Sequence, residues 1–216
     1  MHVQIVLFDG FDPLDVLGPY EVFHAGGGFS GGAVTVELVS AEGPCEVPSG
    51  IPAVSLTATA VLDPALADLV VVPGAAGSLS LDPTVEGSVA SLLGRAGSGP
   101  LAPALRTAVE RAETVVATVC GGSLIIAHAG LADDRPLVTH GRGEDLAGTA
   151  ARPVAARVVD DGDLVSAGNV TSGIDMALYL LEREVGPQVA HAVEGVMRHE
   201  RRGTVWRPVG VAAGAP

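Results

Sequence analysis

The stretch TVVATVCGGSLIIAHAGL, residues 114–131, decides the fold. A β-branched run leads to one cysteine, Cys120, and two glycines and an apolar segment follow before Gly130. A strand, a nucleophile, a tight turn and a helix in this order predict a nucleophile elbow, which lifts one side chain above the edge of a sheet. The N–H groups and partial positive charge at the start of a helix favour a thiolate. We therefore expect Cys120 to be the reactive residue.

The rest of the chain alternates between apolar runs and helical patterns. Residues 3–8 and 68–72 are short apolar runs bounded by turn signals, which predict buried strands, and residues 174–184 and 189–201 have helical patterns. Alternating strands and helices with fully apolar strands favour a parallel sheet covered on both faces. We predict an α/β fold with a doubly wound, mostly parallel sheet, helices on both faces and a nucleophile elbow.

Local turn signals give further expectations. Asp12 and Pro13 predict the cap and the first residue of a helix. The Gly-Pro pair at 18–19 predicts an interruption of that helix, and the glycines of 26–32 predict a flexible loop. The Gly-, Pro- and Ser-rich segment 94–103 predicts a mobile insertion. Two extended runs around Asp-Asp-Gly at 160–162 predict a β-hairpin.

Composition narrows the class of protein. The chain has 216 residues, enough for one large domain, and we expect a single domain over 1–208 with a frayed tail over 209–216. Apolar residues make up 48 %, which excludes disorder throughout. With 12 basic against 25 acidic residues and a net charge of −13, a nucleic-acid or anionic-membrane surface is not expected. The chain has no signal-peptide pattern at its start and no run long enough to span a bilayer, so we expect a cytoplasmic protein.

Three predicted loops leave strand ends, at residues 9–15, 73–77 and 120–122. Since ligands bind at the carboxyl ends of parallel strands, these loops mark the expected site. Asp15 has two interpretations: it closes a helix cap from the first turn, or its carboxyl lies beside the thiol and acts as acid or base. The loop that contains Gly74 and Ala75 is either an ordinary turn or an anion nest facing the cysteine, and the Gly121 N–H can point at an oxyanion.

The remaining candidate groups are weaker. His140 follows a short extended run and could be a base or a hydrogen-bond partner, although no acidic residue is seen to orient it in the sequence. Cys45 lies in a Pro/Gly loop, and we expect it to be inert and not disulfide-bonded to Cys120. No metal-ligand spacing is present, and the glycines near Gly74 lack the G-x-G-x-x-G pattern. We therefore expect neither a metal nor a cofactor.

Five segments resemble the DJ-1/PfpI (ThiJ) superfamily, within the class I glutamine amidotransferase-like, flavodoxin-like fold. They are VLFDGFDPLDVLGPYEVF, VVVPGAAG, ATVCGGSLIIAHAGL, LVTH and GNVTSGIDMALYLLE, with HERRGTVWRP close to the end. By this resemblance Cys120 matches the nucleophile, Asp15 its paired carboxylate, and Gly74 and Ala75 the oxyanion-binding loop. The family resemblance also implies a homodimer.

The pattern L-D-x-x-G-P at residues 14–19 resembles the isonitrile hydratase branch and the sensor-like domains of some AraC-type regulators. The chain departs from these patterns at Gly121, where hydratases have threonine and peptidase-like members have histidine. It also departs at Gly141, where many relatives have tryptophan, and we expect a wider pocket there. From the length of the chain we expect no DNA-binding part.

These residues support three functional hypotheses. The first is isonitrile hydration: the Cys120 thiolate attacks the terminal carbon, Asp15 delivers a proton and then activates water, and the N–H groups near Gly74, Ala75 and Gly121 stabilise developing charge. Glyoxalase/deglycase-like or amidase/peptidase-like activity uses similar groups on another small electrophile. The third hypothesis is a redox or ligand sensor, in which Cys120 is oxidised to a sulfinate.

Overall fold

A computed structural model describes residues 1–80, 82–141 and 143–211, which form a central sheet between two helical layers. The strands are β1 (His2–Val6), β2 (Thr35–Ser40), β3 (Cys45–Pro48), β4 (Ser55–Ala58), β5 (Ala60–Val61), β6 (Leu69–Val72), β7 (Val115–Val119), β8 (Pro136–Leu137), β9 (Arg152–Pro153), β10 (Val158–Asp160) and β11 (Leu164–Ala167). The helices are α1 (Pro13–Phe29), α2 (Val89–Ser98), α3 (Leu101–Glu110), α4 (Gly122–His128), α5 (Ser172–Glu184) and α6 (Pro187–Met197).

The central sheet has the strand order β10-β11-β7-β6-β1-β2-β5. All neighbouring strands are parallel except β10, which is antiparallel to β11. This confirms the predicted doubly wound, mostly parallel arrangement. The chain passes from β1 outward to β2 and later returns to β6 on the other side of β1, so the strand order reverses between β1 and β6. Ligands of such sheets bind at this reversal, beyond the carboxyl ends of the strands.

Strand β6 shows why the sheet has helices on both faces. Its four residues, LVVV, are all buried. Because successive side chains of a strand point to opposite faces, Leu69 and Val71 pack in the core that contains α1, α5 and α6. Val70 and Val72 pack in the second core, against α2, α3 and α4. A continuous apolar run is therefore what a strand at the centre of this sheet requires.

Helix α1 begins as predicted but continues further. Asp12 is the N-cap, and its side chain accepts a hydrogen bond from the Leu14 N–H at 2.9 Å. The predicted interruption at Gly18-Pro19 and the loop over 26–32 are wrong, since the helix continues through Pro19 to Phe29. The glycines are needed for packing: a Cβ on Gly26 would stand 2.8 Å from Leu181 Cδ2 on α5. This contact outweighs the low helix propensity of glycine.

The predicted mobile insertion over 94–103 is also wrong. Helix α2 continues to Ser98, and α3 begins at Leu101. Apolar side chains on both helices, Leu93 and Leu105 among them, are buried in the second core. Burial of these side chains supplies the stability that the Gly-rich composition lacks.

The predicted hairpin is confirmed, because β10 and β11 pair antiparallel across the turn at 160–162. Trp206 extends the sheet beyond β10: its N–H donates to Val158 O and its carbonyl accepts from Asp160 N, both at 2.9 Å. Residues 212–216 of the predicted tail lie outside the described residues. Within the part of the chain that the structure describes, no helix has both the length and the apolar character needed to cross a bilayer.

Candidate active site

Cys120 lies between β7 and α4 in a left-handed backbone conformation, with φ of 55°. This conformation is strained for a residue with a side chain, and such strain concentrates at functional sites. The Cys120 N–H donates to Ala167 O on β11 at 2.9 Å. A Cβ on the neighbouring Gly122 would stand only 2.2 Å from Val72 O. The second glycine therefore lets α4 start directly against the end of β6, which gives the predicted elbow its shape.

Asp15 lies in the first turn of α1 and is fully buried. Its Oδ2 accepts the Gly74 N–H at 2.9 Å. Within the described residues its Oδ1 has no hydrogen-bond partner. The backbone N–H of the cap residue, Asp12, donates to Gly74 O at 2.9 Å. Asp15 therefore does not close a helix cap, and its carboxyl is left for another role.

The loops after β1, β6 and β7 meet at Gly74. A Cβ placed there would stand 2.8 Å from Asp15 Oδ2, 2.7 Å from Gly121 N and 3.2 Å from Cys120 Cβ. Only a glycine leaves room for this approach. Asp15, Gly74, Gly121 and Cys120, which lie far apart along the chain, are thus brought together at the carboxyl ends of the strands.

The electrostatics of the pair differ from the sequence expectation. Burial, followed by the charge of Asp12, raises the pKa of Asp15 from 3.8 to about 8, although the Gly74 N–H opposes this shift. Burial, followed by the charge of Asp15, raises the pKa of Cys120 from 9.0 to about 12, and the Gly121 N–H opposes it only in part. Burial therefore opposes the thiolate that the start of the helix favours. Desolvation penalises each charged form, which favours the neutral carboxyl and the neutral thiol near pH 7.

The three backbone N–H groups that were predicted to bind an anion, those of Gly74, Ala75 and Gly121, differ in their hydrogen-bond partners. The Gly74 N–H is already bonded to Asp15, and the Gly121 N–H acts on the Cys120 sulfur. The Ala75 N–H has no acceptor within residues 1–80, 82–141 and 143–211. Of the three donors, the Ala75 N–H is the one that neither Asp15 nor the thiol engages.

His140 has a partner that sequence reasoning missed. Its Nε2 lies 2.9 Å from Asp145 Oδ2. The preceding residue, Thr139, donates its hydroxyl to Cys120 O at 3.1 Å, so the segment that carries His140 contacts the elbow. Asp145 stands five residues after His140, beyond a Gly-rich loop, and no periodic pattern links the two positions.

Two glycines open or shape the surroundings of the site. A Cβ on Gly121 would stand 2.8 Å from Leu93 Cδ1, so a leucine of α2 covers the position where related chains place a threonine or histidine. Gly141 has a φ of 71°, and no described atom lies within 4 Å of a Cβ built there. Gly141 is exposed, so this open space faces solvent.

Cys45 lies apart from these groups. It lines a separate cleft of about 300 Å³ together with Arg95 and Leu101, and Ser40 Oγ lies 3.5 Å from its sulfur. Both cysteines are free thiols, which confirms that they are not joined. In the described ranges, no group of three or more His, Cys, Asp or Glu side chains is arranged to hold a metal ion.

Comparison with known proteins identifies the family and the fold. Residues 1–183 match the DJ-1/PfpI family. A curated relative, isonitrile hydratase of Pseudomonas putida, is 31 % identical over 196 residues, which cover 90 % of this chain and 76 % of the relative.

Solved structures share the fold at lower identity. A ThiJ/PfpI family protein from Pseudomonas syringae has a TM-score of 0.74 at 22 % identity, covering 94 % of this chain and 76 % of that one. Drosophila melanogaster DJ-1beta has a TM-score of 0.72 at 18 % identity, covering 91 % and 97 %. An AraC family transcriptional regulator from Pseudomonas putida has a TM-score of 0.66 at 21 % identity, covering 91 % and 98 %.

Proposed function

We propose that this chain, which belongs to the DJ-1/PfpI family, is a cysteine-dependent enzyme that hydrates an isonitrile to an N-substituted formamide. The buried pair of Asp15 and Cys120, with both protons in place near pH 7, carries the proposal. The similarity to an isonitrile hydratase supports it. The terminal carbon of an isonitrile accepts a proton before a nucleophile attacks it, whereas a carbonyl carbon needs a thiolate first. A neutral carboxyl beside a neutral thiol suits the isonitrile better.

In the first step, the Asp15 carboxyl protonates the terminal carbon as the sulfur of Cys120 bonds to it. The thiol proton passes to the Asp15 carboxylate, so the carboxyl is restored. The product is a thioimidate, R–N=CH–S, attached to Cys120. Neither Asp15 nor Cys120 has to remain ionised in the buried site, which avoids the cost of desolvating a charge.

In the second step, water adds to the thioimidate carbon, the nitrogen takes a proton from the Asp15 carboxyl, and the Asp15 carboxylate takes one proton from the attacking water. The tetrahedral adduct, R–NH–CH(OH)–S, then collapses: the Asp15 carboxyl gives its proton to the leaving sulfur and takes the hydroxyl proton as the C–S bond breaks, which releases the formamide and restores the thiol. The Ala75 N–H is available to the oxygen of this adduct. The sum of the two steps is the addition of one water to one isonitrile.

We predict that Cys120→Ser abolishes hydration and that Cys45→Ser, a matched loss of the other free thiol, leaves it unchanged. Purified protein is incubated with tert-butyl isonitrile, and the formyl proton of the formamide is followed by NMR. Serine is a much weaker nucleophile than cysteine, so we expect turnover to fall by at least about 100-fold.

The same preparations are tested with methylglyoxal and with a peptide amide. Turnover of either compound without turnover of the isonitrile would replace the proposed reaction by glyoxalase-like or peptidase-like chemistry. Isonitrile turnover by Cys120→Ser at the wild-type rate would remove the covalent mechanism.

The sensor hypothesis requires that peroxide oxidises Cys120 readily. Peroxide oxidises the thiolate, and burial with the charge of Asp15 raises the pKa of Cys120 to about 12. We therefore predict that a molar excess of peroxide at pH 7 leaves Cys120 reduced over a time in which a free cysteine peptide is oxidised. Intact-protein mass spectrometry measures the added oxygen. Rapid, selective addition of two oxygens at Cys120 together with no isonitrile turnover would favour the sensor.

We further propose that the enzyme is a cytoplasmic homodimer. The proposal is supported by two large apolar side chains, Leu14 and Leu17, that lie on the first turns of α1 with 44 % and 40 % of their surface exposed. They flank the buried Asp15, so the partner subunit would cover the helix that carries the acid. Light scattering of the purified protein at micromolar concentration tests this, and a monomer mass would contradict it.

A further inference from the structure

A second cleft, of about 390 Å³, lies between α5 and the segment 198–207 that follows α6. We call this segment the strap. It ends at the edge of the sheet, where Trp206 pairs with β10. Its first part is joined to α5, because His199 Nε2 lies 2.9 Å from Asp175 Oδ1 and the Arg202 N–H donates to the same oxygen at 3.1 Å. No residue of the candidate active site lines this cleft, so it is a separate feature of the molecule.

The arginines of the strap differ from those in the rest of the chain. Among the described residues, every arginine before the strap donates at least one side-chain hydrogen bond to the protein. The guanidinium groups of Arg198, Arg202 and Arg207 donate none to any described residue, and Arg207 Nε lies 3.6 Å from Asp160 Oδ2. The chain has 25 acidic against 12 basic residues, so this is not for want of carboxylates. The strap therefore concentrates guanidinium donors that the protein itself does not use.

The acidic side chains of the cleft are already paired. Asp175 forms an ion pair with Arg157, and Glu182 forms one with Arg201. Three arginines and these two carboxylates are the charged groups of the lining, which is therefore positive in a chain whose net charge is −13. A guanidinium presents its N–H donors in a fixed fork that fits a carboxylate or a phosphate. The lining thus favours an anionic ligand.

The uncharged part of the lining indicates what else the ligand carries. Val158, Val205 and Tyr179 line the cleft together with the charged groups, and the Tyr179 hydroxyl already donates to Asp160. The volume suits a small organic molecule better than an inorganic ion. A second negative charge on the ligand would meet the carboxylate of Glu182. These features favour a monoanion with an apolar body.

We propose that this cleft binds a small monocarboxylate with an apolar body. The guanidinium groups of Arg202 and Arg207 donate to its carboxylate, and Val158 and Tyr179 contact its body. The ligand would connect the part of the strap that is joined to α5 with the part that pairs with β10. The proposal does not depend on isonitrile hydration, because the cleft and the candidate active site have no residue in common.

The experiment titrates the full chain with phenylacetate and follows binding by ligand-observed NMR at pH 7 and low ionic strength, since salt screens exposed charges. We expect saturable binding that weakens at least about tenfold in Arg202→Gln and in Arg207→Gln, because each variant removes hydrogen bonds to a charged group. Arg198→Gln is the matched control. Arg198 lies on the same strap but does not line the cleft, and we expect its variant to bind within about twofold of wild type.

Two comparison compounds test the chemistry of the ligand. Phenylacetamide has the same body without the charge, and inorganic phosphate has the charge without the body. We expect both to bind at least about tenfold more weakly than phenylacetate. Equal binding of phenylacetamide would contradict the role of the arginines, and tighter binding of phosphate would contradict the apolar body.

Cys120→Ser tests whether the probe occupies the active site instead, and we expect this variant to bind phenylacetate as wild type does. Loss of binding in Cys120→Ser with full binding in both arginine variants would overturn the proposal, as would the absence of saturable binding by wild type up to about 10 mM. Thermal unfolding shows which variants are folded. Arg202→Gln keeps the backbone bond to Asp175, so it decides the outcome even if Arg207→Gln does not fold.

Discussion

Asp15→Asn is expected to stabilise the protein above pH 8 while it removes most of its activity. The pKa of Asp15 is about 8 in the folded protein and 3.8 for an exposed carboxyl. Between about pH 4 and pH 8 the folded chain holds a proton that the unfolded chain has lost, so the free energy of unfolding falls as the pH rises through this range. Above pH 8 the full cost of the buried charge is present, on the order of 5 kcal/mol.

An asparagine at this position avoids the free-energy cost of a buried charge, because its side chain stays neutral at every pH. Its amide oxygen can accept the Gly74 N–H that Asp15 accepts now. The amide NH₂ then stands where Oδ1 has no described partner, which costs about 1–3 kcal/mol. We therefore expect the stability of the variant relative to wild type to rise from pH 5 to pH 9, and the variant to be the more stable of the two at pH 9.

Urea unfolding at pH 5, 7 and 9 measures this change. The exposed Asp133 is the matched control, and Asp133→Asn should follow wild type within about 0.5 kcal/mol at each pH. The loss of the acid should lower isonitrile turnover by about 100- to 10,000-fold. If the stability difference between the variant and wild type were the same at all three pH values, Asp15 would be ionised in the folded protein. The proposed mechanism, which starts from a protonated Asp15 and a protonated Cys120, would then be contradicted.

Gly122→Ala is expected to cause a large loss of stability. The new Cβ would stand 2.2 Å from Val72 O and 2.9 Å from Pro73 O, and both are backbone atoms of the central sheet. Neither can move without separating β6 from α4. Overpacking by one methyl commonly costs about 1–3 kcal/mol, and we expect more than about 3 kcal/mol here because no side chain can yield.

Gly195→Ala is the matched control, since it adds the same methyl in the exposed last turn of α6 with no described atom within 4 Å of it. Helix propensity predicts a gain of about 0.5–1 kcal/mol for that change. Urea midpoints of both variants at pH 7 test the pair of predictions. Equal stability of Gly122→Ala and wild type would mean that the elbow is looser than the packing of Gly122 implies.

Local patterns were sufficient to predict several parts of the fold. The cap at Asp12, the turn at 160–162 and the elbow at Cys120 each depend on residues within a few positions of one another. The end of α1 could not be predicted from neighbouring residues, because Gly26 is required by its close packing against Leu181 on α5. The same holds for segment 94–103, where burial of Leu93 and Leu105 overrides a loop-like composition.

The candidate site also has features that neighbouring residues predict and features that depend on contacts with distant parts of the chain. The sequence identified Asp15 but left its role open, since the deciding contact is with Gly74, 59 residues away. The start of the helix favours a lower pKa of Cys120, whereas burial raises it, because the start of a helix is visible in a sequence and the desolvation of a thiol is not. Asp145 was missed for the reason that no repeat or motif connects it to His140.

The contact between Gly121 and Leu93 has a consequence for how water reaches the reaction. Where related chains offer a hydroxyl or an imidazole beside the cysteine, this chain offers hydrocarbon from α2. Hydrocarbon offers water no hydrogen bond, so in the proposed hydration water would approach Cys120 from the side that faces away from Leu93. An apolar substituent of the substrate would then pack over Leu93, and a polar product would leave on the opposite side.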